Sequence, residues 1–249
     1  MNKVDVLIIG SGIAGAVAAI TAADRGRNVM IITKTEQLLS GSTPHAQGGI
    51  IYKGEDDSPE ELTQDIMDAG DGHTWREAAY QLASMGPKLV REILIEKFNV
   101  QFDRTVGDDG LDLTCEGAHS QPRIIHSKDC TGEAIQKAVV EHLLKHPNIT
   151  VKTNQTAVDL MTLSHHSTNS LDIYKKPACF GAVVFDNITG KVTPIYAQHT
   201  ILATGGLGQI YLHTTNPAES TGDGIALAWR AGARCFNLEY IQFHPTACY

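Results

Sequence analysis

The sequence has no excess of positive charge. Lys and Arg number 20 against 28 Asp and Glu, so the formal net charge is −8. A nucleic-acid-binding protein needs clustered basic side chains that neutralise successive phosphates. The composition therefore argues against a nucleic-acid partner. Charged residues make up only 19% and hydrophobic residues 42% of the chain, which favours a folded domain with a buried core.

Paired cysteines are also missing. The five cysteines, at positions 115, 130, 179, 235 and 248, are scattered, odd in number and never spaced as C-x-x-C. A disulfide framework uses an even set in a short secreted chain, and a zinc site uses closely spaced pairs. We therefore expect reduced thiols and no metal site.

Long hydrophobic runs are absent as well. The segment "VDVLIIGSGIAGAVAAI" contains Asp5 and is interrupted by glycines, so it falls short of the about 18 uninterrupted apolar residues that predict a membrane span. It also lacks the basic leader and cleavage site of a secretory signal. We expect a cytoplasmic protein without membrane insertion.

Glycine, by contrast, is abundant and clustered. A β-branched apolar run over residues 4–9 precedes the first cluster, an Ala-rich segment follows it and ends near Gly26, and a second apolar run covers residues 28–33. This order predicts a strand–helix–strand unit with buried parallel strands. The turn between the first strand and the helix has glycines in the spacing G-x-G-x-x-G, which is typical of dinucleotide-binding sites.

The three glycines of that turn have separate expected roles. Gly10 makes the tight turn, Gly12 removes a Cβ where a phosphate approaches, and Gly15 lets the helix pack against the strand. The N-terminus of the helix offers N–H groups and a partial positive charge to a pyrophosphate. The alternative is a tight turn with no ligand. The predicted cofactor contacts here are Gly10, Ser11, Gly12, Ile13, Ala14 and Gly15.

The end of the second strand departs from the usual NAD pattern. A nicotinamide site commonly has an acidic residue there, but this chain has Thr33 and Lys34, and the nearest acid is Glu36. The departure argues against a plain NAD(P) fold and favours a flavin dinucleotide, with Lys34 near its adenosine half. We include Thr33 and Lys34 in the predicted cofactor site.

Three further glycine-rich segments suggest one long ligand that the backbone contacts at several points: "GSTPHAQGG" (41–49), "ATGGLG" (203–208) and "TGDG" (221–224). In this combination and order, the sequence resembles the FAD-binding domain of the succinate dehydrogenase and fumarate reductase flavoprotein family. The further predicted FAD contacts are Gly41, Ser42, Thr43, Ala46, Gln47, Gly48, Gly49, Val158, Ala203, Thr204, Gly205, Gly206 and Asp223.

The resemblance implies an α/β fold: a Rossmann-like FAD-binding domain with a parallel sheet, helices and a small β-meander. It places this domain at residues 1–238, without its C-terminal return segment, and the beginning of a substrate-capping domain at 239–249. The chain is thus expected to be truncated before the capping domain.

Local signals add individual elements. Ser58, Pro59 and Glu61 predict a capped helix start. Residues 75–98 predict one or two helices with a break near Gly86-Pro87, and residues 131–146 predict an amphipathic helix. Residues 179–206 predict a strand, a turn at 187–190, a second strand and then a third, buried strand.

The segment "EYIQFHPT" (239–246) resembles the substrate motif of the same family. The resemblance implies that His244 and Thr246 hold one carboxylate of a C4 dicarboxylic acid beside the flavin, and we add Gln242 to this predicted substrate site. A carboxylate that leaves water needs charge-assisted donors, which an imidazolium and a hydroxyl supply. On this segment alone, a core histidine bonded to a backbone carbonyl is an equal alternative.

The segment "CEGAHSQPRIIHSKDCTG" (115–132) resembles the L-aspartate oxidase branch of the family. The resemblance implies that the dehydrogenases and fumarate reductases of the family have an aromatic residue at the position of Glu116. A carboxylate at this position attracts the ammonium group of an amino acid but repels a dianionic succinate. Glu116 is therefore the predicted substrate selector, and a solvated loop glutamate is the alternative. The resemblance also places His119 and His126 at the border of the site, although His126 would equally well hold the loop in shape.

The resemblance further implies noncovalent FAD. Members with covalent FAD carry a histidine at the position of Ser42, and His45 lies three residues too late for that role. We expect His45 to be a polar contact near the flavin or an exposed loop residue.

The implied activity is oxidation of L-aspartate, or of another C4 dicarboxylate, to iminoaspartate, with O2 or fumarate as electron acceptor. In that case the product supplies quinolinate and NAD biosynthesis. The family's catalytic arginines lie beyond the His-Pro-Thr motif, so we assign no catalytic residue here and expect weak or absent catalysis from this chain alone. A succinate- or fumarate-handling flavoprotein and a noncatalytic FAD-binding fragment are the alternatives.

Overall fold

A computed structural model describes residues 3–105 and 110–243. The chain divides into two compact units, one formed by the chain up to Thr43 and from Val140 onward, the other by Pro44–Val139. No helix in the described ranges is both long and apolar enough to cross a membrane. In chain order the strands and helices are β1 (Lys3–Ile9), α1 (Ile13–Asp24), β2 (Val29–Ile32), β3 (Ile50–Ile51), α2 (Pro59–Ala69), α3 (Arg76–Leu89), β4 (Leu113–Thr114), β5 (Ile124–Ile125), α4 (Thr131–Lys145), β6 (Ile149–Lys152), β7 (Gln155–Thr162), α5 (Leu163–His166), β8 (Cys179–Asp186), β9 (Val192–Leu202) and α6 (Asp223–Arg230).

The first unit is built on a six-stranded sheet with the order β6-β2-β1-β9-β8-β7. The four strands from β6 to β9 in this order are parallel, and the register pairs Ile8 with Ile31 on one side and with Ile201 on the other. All four residues of β2 are buried, as expected for a parallel strand covered on both faces. The predicted parallel sheet and strand–helix–strand unit are confirmed.

The antiparallel part of this sheet is the predicted β-meander, β7-β8-β9. The sequence predicted two separate strands after the turn at 187–190, and this prediction was wrong, because β9 is one continuous strand of 11 residues. Its first half, up to Tyr196, pairs with β8, and from Tyr196 onward it pairs with β1. Pro194 lies opposite Val183 of β8 and precedes Tyr196, where pairing with β1 begins, so its missing N–H costs no bond on the open side.

The junction between β6 and β7 turns back toward the end of β2. Asn154 has a positive φ of 55°, a conformation that asparagine tolerates better than most residues. Its N–H donates to the carbonyl of Thr35 at 2.9 Å, and the N–H of Gln155 donates to the carbonyl of Thr33 at 2.9 Å. The start of β7 is thereby held beside the carboxyl end of β2.

Helix α1 packs through its small side chains. Its buried residues are Gly15, Ala16, Ala19, Ile20 and Ala23. A Cβ added at Gly15 would overlap the carbonyl oxygen of Gly10, so glycine permits the close helix–strand packing that the sequence predicted. The apolar core of this unit includes Leu7, Ile9, Met30, Ile32, Ala157, Leu160, Ala182, Val184, Ile195 and Leu227.

The second unit contains a small antiparallel sheet, β3-β5-β4. Helix α2 begins as predicted: the Ser58 hydroxyl accepts a bond from the Glu61 N–H, and the Glu61 carboxylate accepts one from the Ser58 N–H. This reciprocal capping box satisfies two N–H groups that have no partner within the helix.

The predicted helix break near Gly86-Pro87 was misplaced. Helix α3 continues through Pro87 to Leu89, and a π-helical segment, Val90–Lys97, follows directly. Proline lacks the N–H that would bond to the carbonyl four residues earlier. The helix does not end at Pro87; it continues and becomes a π-helix, which has a wider turn than an α-helix. π-Helical turns are commonly found where the regular hydrogen-bond pattern of an α-helix is interrupted.

Candidate functional site

The glycine turn at the end of β1 has the geometry of a close backbone approach. Gly10 has a φ of +112°, and a Cβ there would overlap the carbonyl oxygen of Ala203. Ala203 directly follows β9 and donates its N–H to the carbonyl of Ile9 at 2.8 Å. The turn therefore excludes a side chain at Gly10 both by conformation and by space.

The N-terminus of α1 favours an anion. Gly12 is the N-cap, no side chain of its own caps the helix, and the first turn contains no acidic residue. The Ile13 N–H donates to the Thr43 hydroxyl at 3.2 Å, which holds the 41–43 segment against the helix start. First-turn N–H groups and the helix dipole together attract a phosphate at such an end.

These elements enclose a cavity of about 420 Å³ in the first unit, within the range of about 300–1,000 Å³ that is usual for ligand sites. It lies at the carboxyl ends of the parallel strands, where open α/β sheets bind ligands. The predicted cofactor residues that line it are Gly10, Ser11, Gly12, Ile13, Ala14, Thr33, Lys34, Gly41, Ser42, Thr43, Ala203, Thr204, Gly205 and Asp223.

An ion pair crosses this cavity wall at the end of β2. The Lys34 ammonium lies 2.6 Å from the Asp223 carboxylate at the start of α6 and donates to the Thr221 hydroxyl at 2.7 Å. That hydroxyl in turn donates to the second Asp223 oxygen at 2.7 Å. Burial raises the pKa of Asp223, but the hydrogen bonds from Lys34 and Thr221 outweigh it and hold the pKa below its usual value. Asp223 is therefore ionised at neutral pH.

Three predicted cofactor residues of the first unit do not line the cavity. Gly15 packs under the turn, and Gly206 accepts a backbone bond from Gly222 at 3.1 Å. Val158 is 40% exposed, and its carbonyl accepts a bond from Arg230 at 2.8 Å. The sequence reasoning missed the neighbours of Val158 that do line the cavity, and it also missed residues before α6. The missed polar and small lining residues are Thr35, Ser40, Gln155, Thr156, Ala157, Glu219 and Ser220.

The predicted flavin loop Ala46–Gly49 belongs to the second unit, and there it meets the predicted substrate selector. Gly48 has a φ of +78°, and a Cβ at Gly48 would lie 2.7 Å from the Oε1 atom of Glu116. A Cβ at Gly49 would overlap Ile124 and Ile125 of β5. The structure thus brings the Glu116 carboxylate onto the backbone of the 46–49 loop, and glycine leaves the space for it.

A buried arginine that the sequence reasoning did not single out fixes the 115–123 segment. Arg123 is fully buried, and its Nε and Nη2 atoms donate to the two Asp57 oxygens at 2.8 Å each. Its Nη1 atom bonds to Asp65. Asp65 also accepts bonds from the backbone N–H and the hydroxyl of Ser120, both at 2.9 Å. The loop that contains Glu116 is therefore connected to helix α2 through Ser120 and Arg123, which both bond to Asp65.

Ionisation of this network follows from its contacts. Burial raises the pKa of Asp65, but the bonds from Ser120 and Arg123 outweigh it and lower the pKa. Burial lowers the pKa of Arg123, but its bonds to the two carboxylates outweigh it and raise the pKa. The Arg123 Nη1 atom also lies 3.1 Å from Nδ1 of His119. Because a guanidinium only donates, the histidine Nδ1 is the acceptor.

His126 has contacts that hold the segment in shape. Its Nδ1 atom lies 3.2 Å from Asp103 and its Nε2 atom 3.5 Å from Asp112. Its backbone carbonyl also accepts a bond from the Asp103 N–H at 2.8 Å. These contacts join the end of β5 to the chain on either side of residues 104–111.

The remaining predicted site residues are less informative. Gln242 and His45 are exposed. The Ser42 hydroxyl lies 3.5 Å from that of Ser220. His244 and Thr246 lie outside the described residues. Within residues 3–105 and 110–243, no group of His, Cys, Asp and Glu side chains has the arrangement of a metal site.

Comparison with known proteins identifies similar sequences. The chain is 41% identical to the L-aspartate oxidase of Halobacterium salinarum over 243 residues, which are 98% of this chain and 45% of that protein. It is 41% identical over 245 residues to the chloroplastic L-aspartate oxidase 2-b of Nicotiana tabacum, covering 98% of this chain and 36% of that protein. The chain spans less than half the length of these curated relatives.

Solved structures agree on the fold. The Mycobacterium smegmatis Sdh1 complex in its apo form superposes with a TM-score of 0.82 at 28% identity, over 93% of this chain and 39% of that one. A quinol fumarate reductase subunit of Escherichia coli superposes with a TM-score of 0.80 over 92% of this chain and 37% of that one. At 23% identity, this second likeness supports the fold alone.

The resemblance predicted from the sequence is therefore confirmed. The glycine turn, the start of α1 with no acidic residue in its first turn, and the cavity at the strand ends fit a dinucleotide, and FAD is the cofactor that the family match indicates. The family described as "FAD binding domain" matches residues 5–249, and the chain belongs to it.

Proposed function

We propose that this chain is the FAD-binding part of an enzyme that removes a hydride from Cα and a proton from the ammonium nitrogen of L-aspartate. The product is iminoaspartate, and O2 or fumarate is the final electron acceptor. Curated relatives at about 40% identity carry the name L-aspartate oxidase, which supports this choice among flavin-dependent reactions.

The observation that carries the proposal is the position of Glu116. Its carboxylate lies over Gly48, within the Ala46–Gly49 loop that we assign to the flavin. An exposed carboxylate at that place attracts an ammonium group and repels a carboxylate. At about 4 Å, one such interaction amounts to about 1 kcal/mol in bulk water and about 4 kcal/mol near a protein surface. Even the lower figure favours aspartate over succinate about fivefold.

The other proposed substrate contacts bind the carboxylates. We assign His244 and Thr246 as donors to one carboxylate of the substrate, and Gln242 as a neighbouring polar contact. An imidazolium and a hydroxyl replace the water that the anion loses on binding. When bound, FAD supplies the acceptor for the Cα hydride.

The cofactor is proposed to be held without a covalent bond. Ser42, which lines the cavity beside the helix start, takes the place where the resemblance puts a flavin-linked histidine in covalent members. A serine hydroxyl at this position contributes polarity but no such linkage. Acid precipitation of the FAD-loaded chain would then release all flavin into the supernatant, and flavin retained on the protein would contradict this part of the proposal.

The competing function is a succinate- or fumarate-handling flavoprotein, which the likeness to the Sdh1 complex supports. The discriminating experiment titrates the FAD-loaded chain with L-aspartate and with succinate while the flavin absorption spectrum is recorded. We expect tighter binding of aspartate, and loss of that preference in Glu116→Gln. Glu55→Gln, an exposed glutamate of the same unit, is the matched control and should leave the preference unchanged.

Two results would contradict the proposal. One is tighter binding of succinate than of L-aspartate by the unmodified chain. The other is an unchanged preference in Glu116→Gln. Bleaching of the flavin absorbance by L-aspartate under anaerobic conditions would show directly that electrons pass from this substrate.

A further inference from the structure

Helix α3 and its N-cap expose a stripe of apolar side chains in the second unit. Trp75, Leu82, Met85 and Leu89 are 72%, 58%, 50% and 41% exposed, and Ala78 between them is exposed as well. We call these five residues the α3 stripe. Single apolar residues on a surface need no explanation, but a contiguous row of them marks a surface that binds a partner.

The spacing of the α3 stripe selects a helix as its partner. Successive members lie three, four, three and four residues apart, which is the heptad spacing by which one helix packs along another. At about 100° per residue, the stripe lies about 100° around α3 from the buried Ala79 and Ala83. It is therefore a second apolar face, separate from the one that α3 buries in its own unit.

The α3 stripe is complementary to itself when two copies run antiparallel. If Leu82 lies on a two-fold axis, it meets Leu82 of the second copy. Trp75 and Leu89, each seven residues from Leu82, then meet across the axis, as do Ala78 and Gly86, each four residues away. A Cβ at Gly86 would meet open space in the single chain. The small residues therefore let two helices approach closely, and Trp75 supplies a large contact at each end.

The charges beside the α3 stripe fit the same arrangement. Glu77 and Lys88 lie on one side of the stripe, near opposite ends of the helix. An antiparallel pair places each of them near the oppositely charged residue of the second copy, whereas a parallel pair in register would place like charges together. Lys88 also lies 3.7 Å from Glu92, but both side chains are exposed, and such a pair holds the ammonium only weakly.

We propose that the α3 stripe is a self-association surface through which two copies of this chain form a symmetric, antiparallel dimer. The stripe runs over residues 75–89, or about 22 Å of helix. A helix pair of this length buries less than a standard interface, which covers about 800 Å² on each partner. The dimer is therefore weak and reversible, with a dissociation constant in the micromolar range. None of the five residues lines the cofactor cavity, so this surface does not depend on the FAD assignment.

The test is sedimentation velocity of the purified chain between about 1 and 200 μM. We expect the mean mass to rise from that of one chain toward that of two. Leu82→Lys and Leu82→Glu should each raise the dissociation constant at least about tenfold, because two like charges then meet on the axis. An equal mixture of these two variants should associate again, because opposite charges face each other. This rescue requires that Leu82 of one copy meets Leu82 of the other.

Tyr80→Lys is the matched control. Tyr80 lies on the opposite face of the same helix and is 46% exposed, so the same new charge there should leave the dissociation constant unchanged. Circular dichroism spectra establish that the variants are folded, and rescue in the mixture shows independently that both Leu82 variants keep the surface intact.

Three results would overturn the inference. The first is a monomeric chain at the highest concentration, which would assign the stripe to a different partner. The second is equal weakening by Leu82→Lys and Tyr80→Lys, or no weakening by either. The third is a mixture of the Leu82 variants that does not associate. FAD binding is expected to be the same in the unmodified chain and in the Leu82 variants, so each of these results leaves the cofactor assignment intact.

Discussion

Replacing Arg123 measures how much its buried ion pairs stabilise the second unit. The Arg123 side chain is 0% exposed, and its partners Asp57 and Asp65 are 4% and 13% exposed. Arg123→Met keeps most of the buried length but leaves two carboxylates without their cation. Removing one partner of a buried ion pair destabilises a protein by about 3–5 kcal/mol. At about 2–4 °C per kcal/mol for a protein of this size, the melting temperature should fall by about 6–20 °C.

The assay is thermal unfolding followed by circular dichroism at neutral pH. The matched control is Lys137→Met on α4, where Lys137 pairs with Glu133 and the two side chains are 60% and 47% exposed. An exposed pair of this kind contributes about 0–1 kcal/mol, so the control should move the melting temperature by only about 0–4 °C. Equal shifts in the two variants would refute the reasoning that Arg123 neutralises buried charge.

Lowering the pH should reduce the difference in stability between the unmodified chain and Arg123→Met. In the unmodified chain the lowered pKa of Asp65 stabilises the fold at neutral pH, and this contribution is lost as the pH falls through that pKa. Without Arg123, burial is opposed only by the two bonds from Ser120, so the pKa of Asp65 rises relative to the unmodified chain and a proton neutralises the carboxylate at a higher pH. A stability difference that grows on acidification would contradict this account.

Three further substitutions test other parts of the structure. Gly10→Ala should weaken FAD binding at least about tenfold in a fluorescence titration, because its Cβ would overlap the Ala203 carbonyl oxygen and its φ is +112°; unchanged affinity would contradict the assigned turn. Ser58→Ala should cost about 1 kcal/mol through the lost helix cap, or about 2–4 °C in melting temperature, and no measurable change would mean that the cap contributes nothing. Hydrogen bonds to Asp186, the strongest from the Thr189 N–H, lower its pKa from the ordinary value of 3.8 to about 2. The ionised Asp186 therefore contributes its full stabilisation above about pH 4, and this contribution is lost as the pH falls toward about 2. Asp186→Ala should therefore destabilise the chain at neutral pH and have little effect near about pH 2, and the reverse order would refute the assigned contacts.

Elements with a strong local signal were predictable from the sequence. The β1–α1–β2 unit follows from two apolar runs around a glycine turn, and the α2 start follows from a capping box formed within four residues. The long strand β9 was not predictable in this way, because its continuity depends on having β8 on one side and β1 on the other. The sequence likewise did not indicate that α3 continues through Pro87 and is followed directly by a π-helical segment.

The candidate site shows the same division. The spacing of Gly10 and Gly12 in the sequence predicted their role. In the structure they line one cavity with residues 41–43 and 203–205. The pairing of Lys34 with Asp223 joins residues 189 positions apart, and no local pattern indicates it. The lining residues Gln155–Ala157 reach the cavity because backbone bonds to Thr33 and Thr35 turn the chain there, which is why a sequence-based choice of Val158 missed by one residue.

Binding of FAD by the purified chain tests the central claim most directly. Thermal unfolding with and without FAD reports binding to the folded state, since a ligand at 100 times its dissociation constant stabilises that state by about 2.7 kcal/mol. We predict a saturable rise in melting temperature of about 5–10 °C with FAD. No rise at saturating FAD would contradict the assignment of the cavity between β1, β2, β9 and α6 as the cofactor site.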